Sequence, residues 1–284
     1  MGYTAENSGK GERRTEPGSD YMTLNASFYD TVARFYDAEN AELIEDLALY
    51  SELAGETGEP VLDLGCGTGR VVLHLAQQGR RVVGLDYSEA MLARGKRKLD
   101  VMPDLISLVT LVHGNALDPH LPCCFKLVLV LFNTFMHFSE QADQLTVLRR
   151  CHDLLDDDGL LVLDLPNAGE AYATQDDGAL VLERMFTEPE SGHLVMQHSV
   201  STLDRAAQQL HVTWIYDEIA EDGTVHRTLA PVVLRYVFPG EMDLMLAAAG
   251  LRRVQIYGDY TRELFADGSP RMIVLAEKVK EVVR

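Results

Sequence analysis

With 284 residues, 46% of them hydrophobic, the chain can bury one sizeable core with an insertion, or two small domains. Its 44 Asp and Glu against 25 Lys and Arg leave a net charge of −19 that repels nucleic-acid phosphates, and the one basic cluster, Arg94 to Leu99, fits the last turn of an exposed helix. Apolar runs such as Leu127 to Phe132 fall far short of the roughly 18 to 20 residues that cross a bilayer, so neither nucleic acid nor a membrane is an expected partner.

Residues 1–20 are polar, rich in Gly, Glu and Ser, and read as a disordered tail with no apolar stretch of the secretory kind. Glu6 stands where a myristoylation signal wants Ser or Thr. Residues 21–58 show apolar positions at helical spacing with no Gly or Pro between Ser27 and Gly55, which predicts one or two helices. A regular alternation follows. Strand Val61 to Leu64 leads to a helix from Gly69 to Gln78, closed by Gly79, and strand Arg81 to Asp86 leads to a helix capped by Ser88. Strand Ser107 to His113 precedes a proline-containing loop. Strand Lys126 to Phe132 then precedes a helix from Glu140 to Leu155, and "DDDG" turns the chain into strand Leu160 to Leu165.

Each of these five strands is an almost unbroken apolar run, which predicts a parallel sheet covered on both faces: a doubly wound α/β core. Residues 166–239 differ. Segments such as "HLVMQHSVSTLD" and "QQLHVTWIYDEI" are rich in β-branched and aromatic residues and separated by turn signals, so an antiparallel β insertion is expected after the fifth strand. Helix Glu241 to Ala249 and strands Arg252 to Tyr257 and Arg271 to Glu277 return to the core in residues 240–284, bringing it to seven strands. Residues 59–165 hold the first five.

The stretch "VLDLGCGTGR", Val61 to Arg70, crowds three glycines behind the first strand. Such density marks a sharp turn or a close approach of something to the backbone. Arg70 occupies the place where a dinucleotide fingerprint has its third Gly, and no phosphate-loop lysine follows, so pyrophosphate ligands and an NAD oxidoreductase are disfavoured. Asp86 ends the second strand twenty-one positions after Gly65, where its carboxylate can accept both hydroxyls of a ribose. A nucleoside without a recognised pyrophosphate fits both signals. S-adenosylmethionine (SAM) is the obvious one.

At this point the chain resembles the class I SAM-dependent methyltransferases. The resemblance runs from about Tyr29 to Glu277 and rests on "VLDLGCGTGR", "GLDYSEAML", "HGNALD", "LVLVLFNTFMHF" and "LLDDDGLLVLDLPN", in that order. The paired "FYD" segments and the β insertion look more narrowly like the glycine and amino-sugar N-methyltransferases. The resemblance implies a Rossmann-like fold and SAM as cofactor. It places Gly65, Cys66 and Gly67 along the methionine part, with Gly69 among the cofactor-binding residues, and Asp86 on the ribose. Tyr87, Asn115 and Ala116 would meet the adenine, with Phe132 and Asn133 on the sulfonium side. Asn115 departs from the commoner Asp, and an amide can serve there as donor and acceptor.

Other polar residues each carry two readings. Tyr29 and Tyr36, seven residues apart and so on one helical face, are either core or reach the ligand. His113 reads as a satisfied strand end. His137, just after the fourth strand, is either a catalytic base that takes a proton from the acceptor or a loop cap. Met196 and Trp214 either pack the insertion or wall the acceptor pocket, and Arg235 and Tyr236 are the nearest polar candidates there for substrate recognition. His120, Cys123 and Cys124 lack a second ligand cluster, so no metal is expected, and the four cysteines show no disulfide framework, which fits a reducing cytoplasm.

The expected activity is methyl transfer to a small-molecule acceptor, nitrogen favoured. A sugar or natural-product O-methyltransferase is the alternative, and a non-catalytic SAM-binding protein is the rival from another class. A homodimer is a possible assembly. The insertion is expected to roof the acceptor site.

Overall fold

The computed structural model describes residues 17–122, 124–173 and 178–280. The expected tail lies outside these up to residue 16, and so does Cys123. The N-terminal pattern resolves into two helices, α1 (Pro17–Glu39) and α2 (Leu47–Thr57). The alternation then runs β1 (Val61–Leu64), α3 (Arg70–Gln77), β2 (Val82–Asp86), α4 (Glu89–Asp100), β3 (Val109–His113), β4 (Phe125–Val130), α5 (Gln141–Leu154) and β5 (Leu155–Pro166). Ser88 caps α4, its hydroxyl accepting from the Met91 N–H at 3.1 Å.

The sheet order is β10-β11-β5-β4-β1-β2-β3, where β10 spans Leu251–Tyr257 and β11 spans Arg271–Lys278. Strands β1 to β5 pair in parallel, while β11 runs antiparallel to both β5 and β10. Alternate residues of each central strand feed opposite cores, which is why the strands read as continuous apolar runs. Leu62, Leu64, Val128 and Leu163 pack with Val147 and Leu148 of α5, and Val61, Leu127 and Val162 pack with Leu53 of α2 and Val72 and Leu75 of α3. The "DDDG" segment does not end the helix ahead of a new strand. It is a bulge within β5, because Phe125 pairs with Leu155 and Leu127 with Leu160.

The insertion is a second, four-stranded antiparallel sheet of β6 (Leu180–Thr187), β7 (Leu194–Asp204), β8 (Gln209–Ile219) and β9 (Val225–Arg235), followed by α7 (Pro239–Ala248). A short helix, α6 (Ala168–Ala173), precedes it and had no distinct sequence signal.

Helix α1 is the joint between the two sheets. On the core side Ser88 donates to Asp30 at 2.6 Å, and Thr68 and Lys98 each donate to Asp37 at 2.6 Å. On the other side Phe35 stacks on Tyr216 of β8 with ring centroids 4.7 Å apart, Tyr216 donates to Glu39 at 3.0 Å, and Arg34 pairs with Glu218. No membrane-length apolar helix occurs among the described residues.

Candidate active site

The carboxyl ends of β1 to β4 open into a cleft of roughly 1070 Å³ counted out to its mouth. Ligands in α/β sheets bind at this edge because crossovers on opposite faces leave a crevice there. The glycine turn forms one wall, with Gly65, Gly67 and Gly69 at φ of +86°, +57° and +78°. At Gly65 the requirement is also steric, since a Cβ would fall 2.3 Å from the Thr134 methyl.

Asp86 faces this wall from the end of β2. Its two carboxylate oxygens accept from the Gly67 N–H at 2.7 Å and the Ser88 N–H at 2.8 Å. Burial pushes its carboxyl upward, and those backbone donors hold it back. Each oxygen keeps a lone pair for a further donor, which suits two neighbouring hydroxyls. Asn115 accepts from the Leu117 N–H at 2.9 Å, so its carbonyl is already half used and its amide can act as donor. Tyr87 is half exposed at the rim, and His113 bonds the Tyr87 carbonyl at 3.0 Å, the satisfied strand end expected for it.

The far end of the cleft is aromatic. Tyr29 and Tyr36 of α1 both line it, edge to face at 6.1 Å, so the seven-residue spacing puts one helical face over the cleft. Tyr29 Oη lies 2.8 Å from His137 Nε2, with ring centroids 5.0 Å apart. Burial lowers the His137 imidazole to about 4 and raises the Tyr29 phenol, so both groups are neutral near pH 7.

Phe132 and Asn133 adopt φ of +47° and +67°, an uncommon turn for non-glycine residues. A buried network fixes it. Asp164 of β5 takes Tyr50 at 2.9 Å, Tyr260 at 3.1 Å and Arg271 at 2.6 Å, and Arg271 also donates to the Asn133 side chain at 3.0 Å. Phe132 thereby lines the cleft while Asn133 braces it from behind.

Two charged lining residues carry no role in the sequence reading. Asp63 is buried in β1, and desolvation pushes its carboxyl up to about 7 against the pull of Arg70. Arg70 is clamped by the fully buried Asp46 through bonds of 2.7 and 2.5 Å and donates to the Leu43 carbonyl. An acid inside the apolar run "VLDL" was the available signal for the first. Arg70 had been read only as a missing glycine.

Tyr29, Tyr36, Gly65, Cys66, Gly67, Asp86, Tyr87, Asn115, Ala116, Phe132 and His137 are thus brought together around one cleft. Gly69 is behind it as the N-cap of α3. The four insertion residues are not at the cleft. Met196 points to the outer face of the second sheet, in register with Met185 and Asp217. Trp214 packs in the core between the sheets. Arg235 is buried on Gln144 and Glu241 at 2.6 Å each, and Tyr236 packs between Tyr172 and Phe238. Among the described residues no insertion residue lines the cleft, because α1 stands between it and the second sheet. Among the described residues no three His, Cys, Asp or Glu side chains group as a metal-ligand set.

Residues 61–159, which hold the glycine turn, Asp86 and His137, match the family model of a methyltransferase domain. A cypemycin N-terminal methyltransferase from a Streptomyces species is 29% identical over 257 residues, covering 89% of this chain and 98% of that protein. The solved CcbJ methyltransferase from Streptomyces caelestis superposes with a TM-score of 0.77 at 27% identity, over 90% of this chain and 99% of that one. The chain is a class I SAM-dependent methyltransferase. A third relative, the dTDP-3-amino-3,6-dideoxy-alpha-D-glucopyranose N,N-dimethyltransferase of Streptomyces fradiae, is 30% identical over 52% of the methyltransferase and 55% of itself. The residues present suit SAM: paired acceptor oxygens at Asp86, a turn stripped of side chains at Gly65 and Gly67, and an acid and a cation side by side at Asp63 and Arg70.

Proposed function

We propose that the methyltransferase acts on the nitrogen of a small-molecule amine. The observation that carries this reading is the neutral Tyr29–His137 pair at the inner end of the cleft. When bound, SAM supplies a methyl group activated by its sulfonium, so transfer is an in-line displacement that needs alignment more than activation. A hydroxyl acceptor would need a base able to take its proton as the new bond forms, and an imidazole held near 4 is a poor one. An amine needs only to arrive unprotonated, having lost its proton to solvent. Tyr29 Oη or His137 Nε2 can then aim its lone pair by accepting a hydrogen bond from an amine N–H, which leaves the pair itself free for the methyl carbon.

In this scheme Asp86 holds the ribose hydroxyls, Tyr87, Asn115 and Ala116 meet the adenine, and Gly65, Cys66 and Gly67 run along the methionine part. Arg70 and Asp63 answer its carboxylate and ammonium. Phe132 and Phe138 exclude water beside the reacting atoms. The cypemycin N-terminal methyltransferase and the dTDP-aminodideoxyglucose N,N-dimethyltransferase among its relatives support the choice of nitrogen. Incubation with methyl-labelled SAM and matched amine and alcohol panels tests it. Label should enter primary or secondary amines, and labelled ethers without labelled amines would overturn the reading.

A further inference from the structure

The insertion sheet is covered over the whole of one face, and on the other only at the end where Gln209, Val233 and Arg235 are buried. Its inner face, with Val195, Gln197, Tyr216, Ala230 and Val232 all buried, packs on α1 and the core. Strand register places the opposite set together on the other side: Leu182 beside His198, Met185 beside Met196, Thr187 beside Leu194, Leu194 beside Ile219, and Ile215 beside Leu229. Leu180, Leu182, Met185, Leu194, Val225 and Leu229 there are between 39% and 64% exposed. A one-sided antiparallel sheet facing water ordinarily alternates apolar-in with polar-out, and a contiguous apolar patch of this size on a soluble surface marks an interface.

We propose that two copies of this chain associate through the outer faces of their insertion sheets. The first argument is charge. The chain carries −19 overall, so two copies repel each other except where the surface is neutral. On this face Asp217 and Arg227 cancel each other through paired bonds of 2.6 and 2.7 Å. The second argument is area. Four strands about 4.8 Å apart and about 3.3 Å per residue long, one of 8 residues and three of 11, project roughly 550 Å² per copy once the end covered at Gln209, Val233 and Arg235 is left out. Doubling gives about 1,100 Å², above the roughly 1,000 Å² that a specific interface should clear. The third is shape, because a sheet face is self-complementary about a twofold axis, and two such faces stack about 10 Å apart with their side chains interleaved. A bound second copy would stiffen β8 from behind, and β8 holds α1 over the cleft through Tyr216 and Glu218.

Sedimentation equilibrium of the full chain at micromolar concentration tests this, with Met185→Glu on β6 and Leu229→Glu on β9 as separate variants. Both side chains are more than half exposed, so each variant should fold, as circular dichroism and SAM calorimetry will report. The wild-type chain is expected at twice its 31.6 kDa mass, and each variant should weaken association at least 100-fold. A wild-type monomer overturns the proposal and leaves the face to the chain's own residues 1–16 or to another protein. Dimers that persist in both folded variants also overturn it, since the contact would then lie elsewhere. The test reads mass alone and is independent of the acceptor's identity.

Discussion

Replacing Asp86 by Ala probes the cofactor site most directly, because the structure ties that carboxylate to two partners of its own. Removing it takes an ionised acceptor from both ribose hydroxyls. Hydrogen bonds to charged groups contribute about 1.5 to 3 kcal/mol each, and water can re-enter an open rim, so the two together should cost about 2 to 3 kcal/mol of SAM affinity. That is roughly a 30- to 150-fold rise in Kd. The free protein is affected too. The Gly67 and Ser88 N–H groups both donate to this carboxylate, and losing their acceptor should cost a further 1 to 2 kcal/mol or so of stability. A reading of Asp86 as a surface acid expects neither effect. Isothermal calorimetry gives the affinity and thermal melts of the free protein give the stability. Asp86→Asn, which keeps one acceptor oxygen, should fall between wild type and Ala. An unchanged SAM Kd in folded Asp86→Ala would refute the ribose assignment.

Gly65→Ala should abolish SAM binding and lower stability, because its Cβ would fall 2.3 Å from Thr134 at a φ of +86°; wild-type calorimetry for this variant would show that the turn can move. The pH profile of turnover should rise with the acceptor amine's own pKa and keep its midpoint in His137→Gln, although kcat drops; a midpoint that moves with the residue would make His137 the base. His137 also predicts a stability effect. Its folded pKa of about 4 lies below the unfolded value near 6.5, so the unfolded chain binds more protons in between, and stability is intact above 6.5 and falls as pH drops towards 4. His137→Gln should flatten that slope in thermal melts, and an equal slope would place the titration elsewhere. Arg235→Ala should destabilise the fold by about 3 kcal/mol, since Glu241 and Gln144 lose a buried partner, without changing the acceptor KM of the protein that remains folded. A selective KM change would return Arg235 to substrate recognition.

By itself the sequence determined the parallel core, the succession of strands and helices along the chain, the antiparallel insertion and the glycine turn with Asp86 at the end of the next strand. Those features are local. A buried strand announces itself by a continuous apolar run, a glycine turn by positions where only Gly takes positive φ cheaply, and Asp86 by its place at the end of the next strand in that same pattern. The pairing of Tyr29 with His137 depends on residues 108 apart, and the clamp of Arg70 on residues 24 apart, so neither left a periodic trace. Which way the insertion residues face was left open by the sequence for a related reason. Alternation along β7 and β8 showed that each strand has two faces, but the side turned to the core is decided by which one α1 covers, through Phe35 on Tyr216. A strand's period is two, so the choice of covered face moves Met196 from the interior to the outer surface without altering one residue of the pattern. Only the tertiary packing of α1 made that choice.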